Sequence, residues 1–172
     1  MTVDDLVFTW DIPNFPDVQA EVLRDVAQLG KHSVSDDSQQ ISNTDWYLSL
    51  TDYPRPYIRH LEQSVLAALV DLKSRYSVLP EGMINPRVTK YWFQQYEAGD
   101  YHGWHIHDTL YAGVAFIELT EGAATQFSVN GSTFSVPVKE GQILLFPGVF
   151  AHCSPVNKTG TRKTAVAFNI SG

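Results

Sequence analysis

Two histidines separated by one residue, His105 and His107, carry the clearest chemical signal in this chain of 172 residues. In an extended strand, side chains two positions apart point to the same face, so these imidazoles would lie side by side. A third histidine, His152, could complete one face of a metal ion. Three ligands on one face leave the opposite positions open, as a mononuclear non-haem iron centre requires.

Arg162 is the candidate anion-binding residue, ten residues after His152. Its planar guanidinium can donate two parallel hydrogen bonds to one carboxylate. Lys163 competes for this role, and because neighbouring strand residues face opposite sides, only one of the two can point inward. The spacing from His152 and the bidentate chemistry favour Arg162.

The remaining histidines and the single cysteine are interpreted as structural. His32 falls in a polar stretch and His60 on a predicted helix, away from any cluster. His102 has the wrong parity to share a strand face with His105. Cys153 follows a candidate ligand, but its parity places it on the other face, where a free cysteine acts as a small buried hydrophobe.

Composition indicates an ordinary folded protein. Hydrophobic residues make up 44% of the chain and charged residues 18%. We expect one domain over residues 1–172, with a helical support region at 1–85 and a core that carries the site at 86–172. The net charge of -7 argues against nucleic acid as a partner, although it is compatible with a local basic groove.

The sequence also favours a cytoplasmic protein that is not in a membrane. With one cysteine, no internal disulfide can form, and the first five residues lack the pattern of a secretion signal. No apolar run approaches the roughly 20 residues that are needed to span a bilayer.

Two amphipathic helices are predicted in the first half of the chain. Over Asp17–Leu29, apolar residues recur at spacings of three and four, with a proline just before and a glycine just after. The second helix runs from about Pro56 to Tyr76 and ends before the turn at 79–82. The polar stretch 31–44 between them is predicted to be an exposed loop.

After Pro86, aromatic and β-branched runs separated by turn signals predict about seven strands. They are Arg87–Tyr96, Trp104–His107, Tyr111–Leu119, Ala124–Val129, Ser132–Val136, Gln142–Phe146 and Lys163–Ile170. Asn130-Gly131 is a strong hairpin signal. The pattern indicates an α+β chain whose second half is a closed or double-sheet β structure. Four aromatic side chains are expected in its core more than in a pocket: Trp92, Trp104, Phe146 and Phe150.

Residues 90–172 resemble the iron- and 2-oxoglutarate-dependent dioxygenases. That family has a strand with tyrosine and glycine, then His-x-Asp, a distal histidine, and an arginine or lysine soon after it. The chain matches with Tyr96 and Gly99, His105-Ile106-His107, His152 and Arg162. The segment after His152 is similar to that of prolyl hydroxylases. Three further segments are most similar to oxygenases common in phage and marine bacterial sequences: Trp92-Phe93-Gln94, Ala112-Gly113-Val114 and Phe168-Asn169.

This resemblance implies a double-stranded β-helix core, a cupin-like jelly roll, with the N-terminal helices packed on it. It implies an enzyme that uses Fe(II), 2-oxoglutarate and O2, and that releases succinate and CO2. The usual outcome in the family is hydroxylation. The substrate would be a small molecule or a peptide, which the sequence does not identify.

The resemblance also implies roles for individual residues. His105 and His152 would bind the iron, and Arg162 would hold the distal carboxylate of 2-oxoglutarate. Tyr96, with Gln94 on the same strand face, would donate hydrogen bonds to this cosubstrate.

One departure from the family concerns the remaining ligand. His107 stands where the family usually has an aspartate, so the catalytic metal would be held by three neutral imidazoles. Asp108 would face the other way in a regular strand and would reach the metal only through a bulge. We expect His107 to be the ligand and Asp108 to orient an imidazole.

Two other functions are compatible with these residues. A cupin-type metalloenzyme could use three histidines without 2-oxoglutarate, but it would have no need for Arg162. A non-catalytic jelly-roll module, for binding or in a virion, would hold no iron. Iron content and the role of Arg162 therefore separate the three functions.

Overall fold

The computed structural model describes residues 6–49, 51, 53–75 and 86–172. The first five residues, the predicted helix end at Tyr76 and the predicted turn at 79–82 lie outside that part of the chain. The helices are α1 (Phe15–Gln28), a 3-10 helix (Pro56–His60) and α2 (Glu62–Arg75). The strands are β1 (Phe8–Asp11), β2 (Val34–Asp36), β3 (Gln39–Ile41), β4 (Asn43–Thr44), β5 (Arg87–Tyr96), β6 (Tyr101–His105), β7 (Tyr111–Glu118), β8 (Gln126–Val129), β9 (Ser132–Ser135), β10 (Gln142–Pro147), β11 (Ala151–Ser154) and β12 (Lys163–Ser171).

Two six-stranded antiparallel sheets form the predicted double-stranded β-helix sandwich. One sheet has the order β1-β10-β7-β12-β5-β4, and we call it the helix-side sheet because the helices pack on it. The other has the order β2-β3-β6-β11-β8-β9, and we call it the site-side sheet. A smaller apolar cluster, which includes Phe116, Phe127 and Phe146, lies between the sheets. The predicted α+β fold class is confirmed.

The helices cover one face of the helix-side sheet because their apolar stripes match its buried residues. Val22 and Val26 of α1 are fully buried, as are Val65 and Leu72 of α2. They join one large core with Phe93 and other sheet residues. None of the described helices is long and apolar enough to cross a bilayer.

The polar stretch 31–44, predicted to be an exposed loop, instead contains β2, β3 and β4. The β2–β3 hairpin depends on Asp36, whose carboxylate accepts hydrogen bonds from the backbone N–H groups of Ser38 and Gln39. β1 and β11 were also missing from the prediction. These strands are only two to four residues long, so even the alternating Phe-Thr-Trp-Asp of β1 is too short for a strand pattern to be recognised.

A buried ion pair fixes the segment after β4 against β5. The carboxylate of Asp45 accepts hydrogen bonds from Arg55 Nε at 2.6 Å and from the Tyr57 hydroxyl at 2.6 Å. Its other oxygen accepts the backbone N–H of Phe93 at 2.8 Å. Because Asp45 is fully buried, its charge depends entirely on these donors.

Replacing Asp45 with asparagine should lower the free energy of unfolding by about 3–5 kcal/mol, because Arg55 would keep a buried, unpaired charge. Urea denaturation followed by circular dichroism measures this change. The matched control is Asp37→Asn at an exposed position, which should change stability by less than about 0.5 kcal/mol. Equal effects of the two substitutions would contradict a structural role for the ion pair.

Candidate metal centre

Two strands of the site-side sheet bring three histidines together. His105 ends β6 and lies opposite His152 of β11 in the strand register. His107 lies beyond the end of β6, where its backbone N–H donates to Gly148 O at 2.8 Å. One ligand nitrogen from each of the three imidazoles lies within 4.8 Å of the others, which is close enough to share one metal ion.

Gly148 is a part of this centre that the sequence-based reasoning missed. A Cβ atom at this position would lie 2.2 Å from Thr109 O, so no larger residue fits without moving the backbone. This close approach places Gly148 O within reach of the His107 N–H. The Pro147-Gly148 turn was the available signal, and it indicated only the end of a strand.

Hydrogen bonds to the backbone set which nitrogen of each imidazole can bind a metal. His105 Nδ1 lies 2.8 Å from Gly103 O, and His152 Nδ1 lies 2.9 Å from Phe150 O. A carbonyl only accepts, so both Nδ1 atoms carry the proton and donate. Each Nε2 therefore keeps its lone pair, as in many metal-binding histidines.

The three imidazoles are also neutral at physiological pH. Burial, with a smaller contribution from His105, lowers the pKa of His152 to about 3 and that of His107 to about 4. Burial likewise lowers the pKa of His105. Neutral imidazoles suit first-row transition metals, iron included, so the donor set fits such an ion.

His102 was expected to face away from His105, but the two rings stack with centroids 3.9 Å apart. The register gives the reason. His105 pairs with His152 and His102 with Ser154, so three steps along β6 match two along β11. This bulge adds one residue and brings His102 to the site.

Asp108 is not part of the cluster of ligand atoms within the described residues. Its side chain is exposed and lines a second cavity beside the metal centre. The structure therefore gives no support to the alternative in which Asp108 reaches the metal through a bulge.

His107→Ala should weaken Co(II) binding by more than about 100-fold, since loss of a residue that only hydrogen-bonds to a metal ligand already lowers metal affinity 10–100-fold. Asp108→Ala should leave the affinity within about twofold, since the carboxylate lies outside the cluster. Both are measured by titrating the apoprotein and following the visible absorption of bound Co(II). The opposite ranking would make Asp108 the ligand.

A buried lysine lies in the cavity that is lined by the three histidines, which we call the metal-side cavity. Lys163 is 2% exposed, and its Nζ donates to Ala123 O at 2.6 Å and to Ser154 Oγ at 2.7 Å. An ammonium group has three N–H donors, so these contacts account for two of them. Burial lowers the pKa of Lys163 to about 7.

The prediction that Arg162 faces the site is wrong. Its guanidinium lies outside, where Nε and Nη2 donate to the carboxylate of Glu118 at 2.8 and 3.0 Å. β12 begins at Lys163, which pairs with Tyr96. Alternate residues from Lys163 onward line the cavity, so Arg162 has the outward parity.

Tyr96 and Gln94 line the same cavity, on the strand face that was predicted. Tyr96 is 2% exposed, and the Lys163 Nζ lies 5.0 Å from the centroid of its ring. Gln94 Nε2 lies 3.3 Å from His102 Nδ1. Cys153 is buried as expected, but it also contributes to the cavity wall.

Two other histidines considered from the sequence lie away from the centre. His32 contacts Tyr53 and His60 bonds to Asp25, so neither joins the centre. Trp92 is both buried and part of the cavity wall, whereas Trp104 is 51% exposed and belongs to neither core nor cavity.

The second cavity, which we call the outer cavity, has a volume of about 330 Å³. It shares His105 and His107 with the metal-side cavity, so it opens directly onto the candidate metal. Trp46 and Trp92 contribute aromatic wall, and Tyr47 and Ile106 lie exposed at its mouth.

Comparison with known proteins relates this arrangement to one fold. No protein-family model matches the sequence, and no curated protein sequence matches it. Many solved structures do match. A 2OG-Fe(II) oxygenase family protein from Burkholderia pseudomallei matches with a TM-score of 0.67 at 10% identity, over 98% of this chain and 86% of that one.

Two prolyl hydroxylases match over similar lengths. The viral collagen prolyl hydroxylase from Paramecium bursaria Chlorella virus-1 has a TM-score of 0.59 at 13% identity, over 100% of this chain and 99% of that one. The Pseudomonas putida prolyl-4-hydroxylase has a TM-score of 0.61 at 14% identity, over 97% and 96%. The predicted likeness to a phage and marine bacterial subgroup stays a prediction. The chain has the fold of the 2-oxoglutarate- and Fe(II)-dependent oxygenases, prolyl hydroxylases included.

Proposed function

We propose that the protein is a 2-oxoglutarate-dependent, non-haem Fe(II) dioxygenase that hydroxylates a substrate entering through the outer cavity. One observation carries the proposal. Three neutral imidazoles with converging nitrogens and a buried lysine ammonium line the same cavity. This arrangement offers a metal site beside a site for a carboxylate.

His105, His107 and His152 would hold the iron through their free imidazole nitrogens. When bound, the iron with 2-oxoglutarate and O2 supplies the oxidation, in which one oxygen atom enters succinate, the other enters the substrate, and CO2 leaves. The residues of the chain keep the ligands in place and exclude water. The buried walls contributed by Trp92 and Phe146 perform the second task.

Lys163 would bind a carboxylate of 2-oxoglutarate with the N–H that Ala123 and Ser154 do not use. Tyr96 supports this contact, because its ring lies beside the Lys163 ammonium, 5.0 Å from Nζ to the ring centroid. An ammonium interacts with a carboxylate as a point charge through one N–H, whereas a guanidinium can donate two parallel hydrogen bonds. The contact therefore differs from the bidentate one that was predicted for Arg162.

Charge balance also favours 2-oxoglutarate as the cosubstrate. Three neutral histidines leave both charges of a divalent ion without compensation from its protein ligands, and Lys163 adds a third positive charge nearby. A dianion that contacts both the metal and Lys163 would offset most of this charge in a poorly solvated cavity.

A second candidate function follows from the three-histidine set itself. A cupin-type enzyme that does not use 2-oxoglutarate would also have such ligands. Arg162 can no longer argue against it, because that side chain lies outside the site. Lys163 provides the argument instead, because its Nζ faces the metal-side cavity and keeps one N–H donor beyond its bonds to Ala123 and Ser154, which a cosubstrate carboxylate can accept.

The decisive assay measures succinate formed from 2-oxoglutarate by protein loaded with Fe(II) and ascorbate. We expect slow turnover even without a substrate. Protein that binds iron but neither binds nor consumes 2-oxoglutarate would support the cupin-type function. Protein with no iron affinity under anaerobic conditions would support a non-catalytic module.

The affinity for 2-oxoglutarate should fall as the pH rises through 7. Because burial lowers the pKa of Lys163 to about 7, the free protein loses this charge above neutrality. A bound carboxylate favours the charged form, so the dissociation constant should rise about tenfold per pH unit until the pKa of the complex is reached.

Anaerobic titration of the Fe(II) protein between pH 6.5 and 9 measures this dependence. Lys163→Arg provides the control, because a guanidinium stays charged over the whole range. That variant should bind 2-oxoglutarate with an affinity that does not change with pH. A flat profile for the original protein would exclude Lys163 as the charged contact.

A further inference from the structure

The outer cavity has a wall of neighbouring aromatic rings that leads to the metal centre. The rings of Trp46 and Trp92 meet edge to face, with centroids 4.3 Å apart. Trp92 in turn lies 5.7 Å from the ring of His107. An aromatic wall of this kind favours a flat, apolar ligand, because ring–ring contacts add to the area that is buried.

The wall is held in place by the buried contacts behind it. Asp45 and its partners fix the chain between Thr44 and Trp46 against β5. Thr44 Oγ1 donates to Phe93 O at 2.7 Å and accepts the Trp46 N–H at 3.2 Å. Because these contacts already fix the wall, a ligand would lose little binding free energy in ordering its side chains. Preorganisation of this type increases affinity.

The charges around the cavity disfavour an ionic ligand. The Lys90 ammonium already lies 3.3 Å from the centroid of the Trp46 ring, so a second cation at that wall would be repelled. No lysine or arginine is among the described residues that line the cavity, and the carboxylate of Asp108 lies in its lining. An anion would therefore contact no lysine or arginine of the lining and would be repelled by Asp108.

His102 supplies a hydrogen-bond donor to this apolar space. Gln94 Nε2 can only donate, so His102 Nδ1 accepts its hydrogen bond and the proton lies on His102 Nε2. His102 lines both cavities, beside the ring of His105. Its N–H can therefore contact an acceptor atom of a ligand held next to the metal.

We propose that the outer cavity binds the primary substrate through a neutral aromatic or heteroaromatic ring, packed on the Trp46–Trp92 wall, with His102 donating to an acceptor on it. The proposal rests on the proposed function for the oxidation of that ring or its substituent. The binding of the ring does not depend on turnover.

The test compares four probes by calorimetry with Zn(II)-loaded and metal-free protein. Indole-3-carboxamide is neutral and aromatic, indole-3-carboxylate and tryptamine carry opposite charges, and cyclohexanecarboxamide lacks the flat ring. We expect indole-3-carboxamide to bind at least tenfold more tightly than the other three. A capped Gly-Trp-Gly peptide in the same assay distinguishes an aromatic side chain from a free molecule.

Variants locate the binding to the wall. Trp46→Ala should weaken indole-3-carboxamide at least fivefold, and Trp46→Phe, which keeps an aromatic ring if alanine destabilises the fold, should weaken it less. Trp104→Ala is the matched control, because Trp104 is exposed and does not line the cavity. His102→Phe should remove the preference for indole-3-carboxamide over 3-methylindole, which lacks the acceptor.

Tighter binding of either charged indole or of the saturated amide would overturn the proposal, as would equal effects of the Trp46 and Trp104 variants. Succinate assays run in parallel separate the two levels of inference. If the protein consumes 2-oxoglutarate but binds no ring, the assignment of the outer cavity fails alone. If it binds the ring but never consumes 2-oxoglutarate, the proposed function fails.

Discussion

Replacing His152 with alanine should remove metal binding and, with it, any consumption of 2-oxoglutarate. His152 is 5% exposed and contributes one of the three converging nitrogens. Its Nδ1 donates to Phe150 O, so its Nε2 is the atom that remains to bind the metal. The cluster of ligand atoms among the described residues has only two other members, His105 and His107. Loss of a direct ligand should lower metal affinity by more than the 10–100-fold that supporting partners contribute.

Iron content after anaerobic loading and dialysis measures this loss, and circular dichroism confirms that the variant is folded. His32→Ala is the matched control, because His32 packs against Tyr53 away from the cluster. It should retain iron at the original stoichiometry. Iron bound equally by both variants would show that the cluster is not the metal site.

The β-helix core was predictable because its central strands are long and mostly apolar. β5, β7, β10 and β12 carry runs of buried residues, and their predicted bounds agree with the structure within a residue or so. The hairpin at Asn130-Gly131 was also predicted correctly, between β8 and β9. Local sequence determines these elements, since hydrophobic pattern and turn chemistry act over a few residues.

The short strands could not be predicted in the same way. β3 is Gln-Gln-Ile and β11 is Ala-His-Cys-Ser, so neither shows the alternation typical of a strand. Both exist because they pair with β6 in the site-side sheet. The tertiary structure, rather than local propensity, makes these residues extended.

The two errors within the site both concern the face to which a side chain points, but they arose differently: His102 was judged by strand parity, and Arg162 was preferred for its spacing from His152 and its bidentate chemistry. One extra residue in β6 reversed the parity of His102. One residue at the start of β12 decided between Arg162 and Lys163. A shift of a single residue moves a side chain to the other face of a strand. The types of side chain therefore predict that a site exists better than they predict which residues face it.

Substitution of Lys163 and Arg162 by methionine should therefore give opposite results for 2-oxoglutarate. Lys163→Met removes the ammonium from a cavity where nothing else among its described lining residues is cationic. Loss of one partner of a buried charged contact costs about 2–5 kcal/mol, which corresponds to a roughly 30- to 5000-fold rise in the dissociation constant.

Arg162→Met breaks only a partly exposed ion pair with Glu118, so it should leave 2-oxoglutarate affinity unchanged and alter stability by about 1 kcal/mol or less. Anaerobic titration of both Fe(II)-loaded variants measures the two dissociation constants, and iron content confirms an intact metal site. If Arg162→Met caused the larger loss, the side chain would have to turn inward when the cosubstrate binds, and the orientation predicted from the sequence would describe that state. If only Lys163→Met lowers the affinity for 2-oxoglutarate, the cavity is already arranged for the anion before it binds, because Ala123 and Ser154 hold the ammonium there.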